Sequence, residues 1–524
     1  ENQTLGNNVH AHLDRNADNV PDPGSRPQGS PFRVFDFPMD LNQEPITYTN
    51  AAVVQLFYWN NWMHDKLYDL GFTEAAGNFQ SSNFGRGGVG NDPVQADAQD
   101  GSGTNNANMA TPPDGSSPRM QMFLFTAPHP DRDGDFDAEV LLHEYTHGLS
   151  NRRVGGGVGL SSLQSRGMGE GWSDFYGLAM LSESGDNIHG TYAAGGYLTY
   201  LLGGTLTQNY YFGIRRYPYS TDMTKNPLTF KDIDPTKASS HPGIPKNPVI
   251  GGTADSVHNQ GEVWCSALWE ARANLITKHG FAVGNQLILQ LVTDGMNLSP
   301  ANPNFLQARD AILQADLVNN GGANRRELWL AFAKRGMGWN ATCPASSTTT
   351  GVVESFVVPD DLVVSPATGF VAKRSTTTPF DLTSFSYTLT NTSSSNLTWT
   401  AHRTQNWVSL SAAQGILAAG TATNITVSLN ATANNLGVGT WTDTVTISNV
   451  TSGMPHNRAV TVTVDPSTIY FFSLDTDPGW ARQGEWAFGK PAGLGGDPLN
   501  GATGSNVFGI NLNGNYSTSV GGPF

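Results

Sequence analysis

The sequence changes its periodicity once, and that break limits the fold more than any other feature. Over 49–70 the apolar residues Ala51, Val54, Leu56, Phe57, Trp59, Trp62, Met63 and Leu67 fall at helical spacing. The same pattern predicts helices over 137–151, 169–181, 259–279, 304–318 and 325–334, with Asp137 as the N-cap candidate of the first of these. Beyond the run Ser346-Ser347-Thr348-Thr349-Thr350-Gly351 the pattern becomes short alternating stretches. Phe385-Ser386-Tyr387-Thr388-Leu389-Thr390 and Val460-Thr461-Val462-Thr463-Val464 are examples. Two cores of different construction are therefore expected: a helix-rich one in 1–345 and a β-sandwich in 352–465, with 346–351 as the linker. Residues 1–45 read as irregular, 72–118 as a Gly/Asn-rich stretch, and Met120-Gln121-Met122-Phe123-Leu124-Phe125 as one strand. The tail 466–524 is Gly-rich, carries Trp480, Trp486 and Phe488, and reads as a partial β-rich module.

Composition removes several function classes. A chain of 524 residues suggests two to four domains, and 38% hydrophobic with 10% aromatic residues excludes a disordered chain. The 29 Lys+Arg against 44 Asp+Glu, net -15, argue against nucleic acid or an anionic membrane as the partner. No run of 18 apolar residues is present, so no transmembrane segment is expected. Two cysteines, Cys265 and Cys343, exclude a disulfide framework and leave open one bridge or two inert thiols. The start, Glu1-Asn2-Gln3-Thr4, lacks the basic and apolar regions of a signal peptide. The expectation is a cytosolic chain or a trimmed mature one, and the 59 glycines with scarce lysine favour a secreted, extracellular protein.

The chemistry concentrates in His143-Glu144-Tyr145-Thr146-His147. On a helix, positions i and i+4 share a face, so the two imidazoles reach one metal ion and Glu144 projects beside it. A catalytic zinc needs a third protein ligand. Glu170 in Gly169-Glu170-Gly171-Trp172-Ser173-Asp174 is the candidate, with Asp174 one turn on to accept the free ring N–H of a ligand histidine, His143. Glu139, one turn before His143, is expected to be solvated.

The segments His143-Glu144-Tyr145-Thr146-His147-Gly148-Leu149-Ser150-Asn151-Arg152 and Gly167-Met168-Gly169-Glu170-Gly171-Trp172-Ser173-Asp174-Phe175 together resemble the fungalysin family of zinc metallopeptidases, among the thermolysin-like gluzincins. Asn106-Ala107-Asn108-Met109, Arg132 to Asp137, Gly213-Ile214-Arg215-Arg216-Tyr217-Pro218-Tyr219-Ser220 and Val257-His258-Asn259-Gln260-Gly261-Glu262 extend the resemblance, from about residue 5 to Asn340. It implies an α+β fold, with a β-containing N-terminal lobe (about 1–150), a mostly helical C-terminal lobe (about 151–345) and the active-site helix between. It also implies one Zn2+ held by His143, His147 and Glu170, and Glu144 as general base. His258, just before a helix, resembles the histidine that hydrogen-bonds the oxyanion. Asn106 and Ala107 resemble the edge segment that pairs with substrate backbone. Arg215 or Arg216 holds a substrate carbonyl or a structural carboxylate. Thermolysin-like enzymes carry an oxyanion tyrosine between the second histidine and the third ligand; residues 148–169 contain none, so only His258 is carried over.

Weaker signals remain. Asp14, Asn16, Asp18 and Asp22 have the alternate-oxygen spacing of a calcium loop but lack its glycine, so Ca2+ and a solvated loop both stand. Asp131, Asp133, Asp135 and Asp137 read similarly. The sandwich loosely resembles modules of the BACON type, and Trp399, Trp407 and Trp441 are either a polymer- or matrix-binding face or core. The leading expectation is a monomeric secreted zinc endopeptidase acting on proteins or peptides. The others are a non-catalytic adhesion protein presenting the sandwich, and a metal-dependent hydrolase of non-peptide substrates.

Overall fold

Alternating buried residues in the first 125 positions build a small sheet, although most of that stretch reads as irregular. The strands are β1 (Val9–Leu13), β2 (Val94–Ala98), β3 (Ala107–Ala110) and β4 (Arg119–Met122), in the order β1-β2-β4-β3. β1, β2 and β4 run parallel, and β3 is antiparallel to β4 at the sheet's edge. In this computed structural model, residues 2–126, 128–157, 159–199, 209–467 and 472–515 are described. The expected strand at 120–125 splits into β4 and β5 (Leu124–Phe125), which pairs with β6 (Arg132–Asp133). The break falls at Phe123, whose carbonyl accepts the Gly134 N–H at 3.1 Å.

The helices are α1 (Thr49–Asp69), α2 (Ala138–Arg153), α3 (Leu163–Leu181), α4 (Asn209–Phe212), α5 (Val257–His279), α6 (Phe281–Leu298), α7 (Phe305–Asn320) and α8 (Arg325–Lys334). α1 has the expected span, but its fully buried stripe is Ala52, Val53, Leu56, Met63 and Leu67, with Phe57, Trp59 and Trp62 half-buried. Asp137 caps α2, its Oδ1 accepting the Val140 N–H at 3.2 Å. α3 starts six residues earlier than expected, because Ser162 and Ser165 form a reciprocal cap. α6 escapes the periodicity reading because Gly284 and Gly295 interrupt its pattern. Both serve close packing: a Cβ on Gly284 would stand 2.6 Å from the Ile276 backbone.

The crossing of α3 and α5 positions the site. Trp172, Trp264 and Trp269 fill it, each essentially inaccessible. Each contributes about 4–6 kcal/mol of transfer free energy. The backbones touch at two glycines: a Cβ on Gly171 would stand 2.5 Å from Gly261 O, and one on Gly261 only 2.7 Å from Glu170 Cβ. Gly261→Ala is therefore expected to cost about 1–3 kcal/mol in a thermal or denaturant melt. It is also expected to weaken metal binding, because the new methyl displaces Glu170; unchanged zinc affinity would contradict this account of the crossing.

The chain divides into two units, residues 1–361 with 392–396, and 362–391 with 397–524. Residues 346–351, expected as a linker, are tied to the first unit. Gln164 Nε2 donates to Thr348 O at 2.5 Å, Gly351 N–H to Asp234 Oδ2 at 2.8 Å, and Val352 is fully buried. A Ser/Thr-rich composition is silent about such carbonyl and amide partners. Cys265 and Cys343 are unpaired, the first buried in α5 and the second donating to Gln164 Oε1.

The second unit is a sandwich. Its strands are β7 (Leu362–Ser365), β8 (Phe370–Ser375), β9 (Ser384–Asn391), β10 (Leu397–His402), β11 (Val408–Leu410), β12 (Gln414–Leu417), β13 (Ala422–Leu429), β14 (Gly439–Asn449) and β15 (Pro455–Asp465). One sheet runs β12-β10-β14-β15-β8 and the other β11-β13-β9-β7. Trp399 and Trp407 lie in its core, whereas Trp441 is 41% exposed. In the tail, β16 (Trp486–Gly489) pairs with β17 (Val507–Ile510). Residues 468–471 and 516–524 of the expected partial module lie outside the described residues.

Candidate metal centre and active-site cleft

α2 carries His143 and His147 one turn apart, and α3 brings Glu170 against them. The Nε2 atoms of the two histidines are 3.0 Å apart, and Glu170 Oε2 lies 3.3 Å from the first and 3.8 Å from the second. Tetrahedral zinc ligands at about 2.0–2.1 Å stand roughly 3.3 Å from one another. The three separations scatter around that value, and Glu170 Oε2 is buried facing the imidazole nitrogens of His143, His147 and His258. This donor set of two imidazoles and one carboxylate suits zinc.

The next layer fixes the first. His143 Nδ1 donates to Asp174 Oδ1 at 2.8 Å, which leaves its Nε2 lone pair facing inward. Asp174 also accepts Arg215 Nε at 2.6 Å and Nη2 at 2.7 Å, and the Tyr219 hydroxyl. Burial opposes charge on Asp174, but Arg215 and His143 outweigh it and hold its carboxyl well below the usual carboxylate range. Burial likewise opposes charge on Glu170, and the imidazoles of His147, His143 and His258 outweigh it. Burial pushes His147 down to about 4. It works against a proton on His143 too, yet hydrogen bonds to Asp174 and Glu170 raise that ring to about 10. Glu144, whose Oε2 has no hydrogen-bond partner among the described residues, is pushed up to about 7 by burial.

These residues open on a cleft of about 710 Å3. Asn106 and Ala107 line it from the edge of the sheet, where β3 has no neighbour on its outer side. His258 lines it as well, half-exposed, with Nε2 3.4 Å from Glu170 Oε2. It sits inside the first turn of α5 rather than before the helix.

Residues 1–341 match the fungalysin metallopeptidase family, M36. The chain belongs to that family. Extracellular metalloproteinase mep of Aspergillus fumigatus is 45% identical over 333 residues, 60% of this chain and 48% of that one. Extracellular metalloproteinase 2 of Trichophyton rubrum is 44% identical over 353 residues, covering 64% and 51%. The Aspergillus flavus mep protein is 46% identical over 334 residues, covering 60% and 48%. The chain spans about half the length of the curated relatives it matches. Among solved structures, the periplasmic chaperone SfaE is similar at a TM-score of 0.17 and 8% identity, over 20% of this chain and 58% of that one, too slight a likeness to carry an argument.

Arg215 and Arg216, left open between a substrate carbonyl and a structural carboxylate, both lie against buried carboxylates. Both hold structural carboxylates: Arg215 that of Asp174, and Arg216 that of Glu262, through Nε at 3.1 Å and its backbone N–H at 2.8 Å. Glu262 and Tyr219 have no assigned role in the sequence reading. For Glu262 the signal is its spacing, one helical turn from His258. Tyr219 has no such local signal. The cleft's apolar wall, Phe125, Val140, Ile214 and Ile250, comes from separate segments and is equally invisible in one stretch of sequence. No tyrosine lines the cleft among the described residues.

One expectation is corrected. Glu139 is half-buried rather than freely solvated: its carboxylate accepts the Gly195 N–H at 2.8 Å, and burial, with Asp137 beside it, pushes it up to about 8. In the loop that carries Asp14, Asn16, Asp18 and Asp22, backbone amides donate to these side-chain oxygens. Asp14 accepts from Asp18 and Asn19, Asn16 from Asp18, Asp18 from Val20, and Asp22 from Arg15. Asp14 is buried near Asp97 and Asp100. In the second candidate loop Asp133 accepts from Asp135, Asp135 Oδ2 from Gln99 and Asp137 from Val140, while Asp135 Oδ1 is buried without a hydrogen-bond partner among the described residues.

Proposed function

We propose that the chain is a secreted zinc endopeptidase that hydrolyses peptide bonds of protein or peptide substrates. The observation that carries this reading is the buried Oε2 of Glu170 facing both histidine Nε2 atoms, beside a Glu144 Oε2 that has no hydrogen-bond partner among the described residues. His143, His147 and Glu170 hold the ion, and Asp174 orients His143. Zinc bound there supplies a Lewis acid that polarises the scissile carbonyl and acidifies water. Glu144 takes the proton of the attacking water on Oε2 and delivers it to the leaving amine. His258 donates to the developing oxyanion, a contribution of about 3 kcal/mol for one such donor. Asn106 and Ala107 present the sheet edge to substrate backbone.

In this reading residues 1–345 form two thermolysin-like lobes, about 1–150 and 151–345, with α2 between them. Residues 352–465 are an accessory sandwich and 466–524 a β-containing tail, and these bind a polymer or matrix. The exposed Trp441 supports such a role; Trp399 and Trp407, being core, do not. The enzyme acts as a monomer. The relatives named extracellular metalloproteinases support secretion and proteolysis, and the complete donor set speaks against an adhesion protein with no catalytic role. A zinc chelator is expected to abolish casein hydrolysis, and one equivalent of zinc to restore it. Hydrolysis that persists in protein shown to be metal-free would refute the proposal.

A further inference from the structure

Arg166, beside this cleft, has no carboxylate partner among the described residues. It lies on α3 one turn before Glu170, so Arg166, Gly169 and Glu170 share a helix face. Its side chain is exposed and has no hydrogen-bond or ion-pair partner among the described residues. It borders a cavity of about 150 Å3 with Leu160 and Val257. His147, Asn151 and Glu170 line both that cavity and the main cleft, so the two spaces are adjacent. Gly169 lines the smaller one: a Cβ there would stand 3.3 Å from Leu160 Cδ1 and 4.0 Å from His147 Nδ1. The other arginines at the site have no such freedom, since Arg215 is held at two nitrogens by Asp174 and Arg216 by Glu262. In a chain of net charge -15, with Glu144, Glu170 and Glu262 lining the cleft, a guanidinium without a carboxylate partner among the described residues adds a fixed positive charge that attracts an anion.

We propose that Arg166 forms a carboxylate-binding subsite on the His147 side of the metal centre, which selects peptides carrying a negative charge near the bond to be cleaved. The inference rests on the peptidase reading above. The guanidinium presents a planar fork that matches a carboxylate at two oxygens, whether from an acidic side chain or a free C-terminus. Being exposed, the pair is worth about a fivefold preference and is weakened by salt.

The test uses end-blocked quenched peptides that differ only by Glu, Gln or Lys at each position flanking the scissile bond. A second set compares free with amidated C-termini and so separates the two carboxylate sources. Wild type is expected to show a kcat/KM about fivefold higher for Glu than for Gln at one position, or for the free over the amidated terminus. Arg166→Gln brings that ratio to about one, Arg166→Glu inverts it in favour of Lys, and Arg166→Lys retains most of it. Cleavage without any charge preference in wild type, or a preference that survives both Arg166→Gln and Arg166→Glu, overturns the subsite alone. Failure of wild type to cleave any of the peptides overturns both readings.

Discussion

Glu144→Gln is expected to leave zinc bound one to one and to slow peptide hydrolysis by about 10²–10⁴-fold. Glu144 follows the ligand His143 on α2, is only 5% exposed, and its Oε2 has no hydrogen-bond partner among the described residues. Burial raises it to about 7, where a carboxylate can both accept a proton and give it back near neutral pH. Glutamine fills the same volume and keeps the α2 packing, but it cannot carry the proton. Metal content by elemental analysis and turnover of a quenched peptide, measured on the same sample, separate the two effects. A variant with full zinc and the wild-type rate would remove Glu144 from the mechanism.

Asp174→Ala is expected to have the largest effect on stability. One carboxylate there takes four donors, from His143, Arg215 twice and Tyr219, and Arg215 is 4% exposed. Removing it strands a buried guanidinium, at a cost of about 3–5 kcal/mol. It also frees the His143 ring, and zinc affinity falls about 10–100-fold. Denaturant melts of metal-free protein isolate the first effect, and competition with a chromophoric chelator the second. Because the folded state holds the Asp174 carboxyl below its unfolded value of about 3.9, its stabilisation is complete above that pH. It is lost only as the pH falls through the folded value, so the titration of Asp174 itself adds no difference between pH 5 and pH 8; His143, which Asp174 helps hold at about 10, makes the deficit of the variant larger at pH 5 than at pH 8. Metal-free variant and wild type melting together would show that the Asp174 network contributes no stability.

The four-residue spacing of His143 and His147 is legible in the sequence because a helix converts it directly into a shared face, and Glu170 with Asp174 likewise. The same spacing is uninformative about the arginines: Arg215 and Arg216 are adjacent, yet one reaches Asp174 on α3 and the other Glu262 on α5. Glu139 misleads for a related reason. An acidic residue near a helix start looks solvated until the amide that binds it, here that of Gly195, is known.

By itself the sequence determined the two kinds of core, the helix that carries the paired imidazoles, and the pair of carboxylates one turn apart, since each is a local periodicity that backbone geometry translates into a face. Only the tertiary structure decided the rest: that the Ser/Thr run at 346–351 is bound, that Arg215 and Arg216 are spent on carboxylates, and that Arg166, beside the cleft, has no carboxylate partner among the described residues. Those outcomes depend on which groups from distant segments arrive at the same place, and that is set by how closely α3 and α5 approach at Gly171 and Gly261.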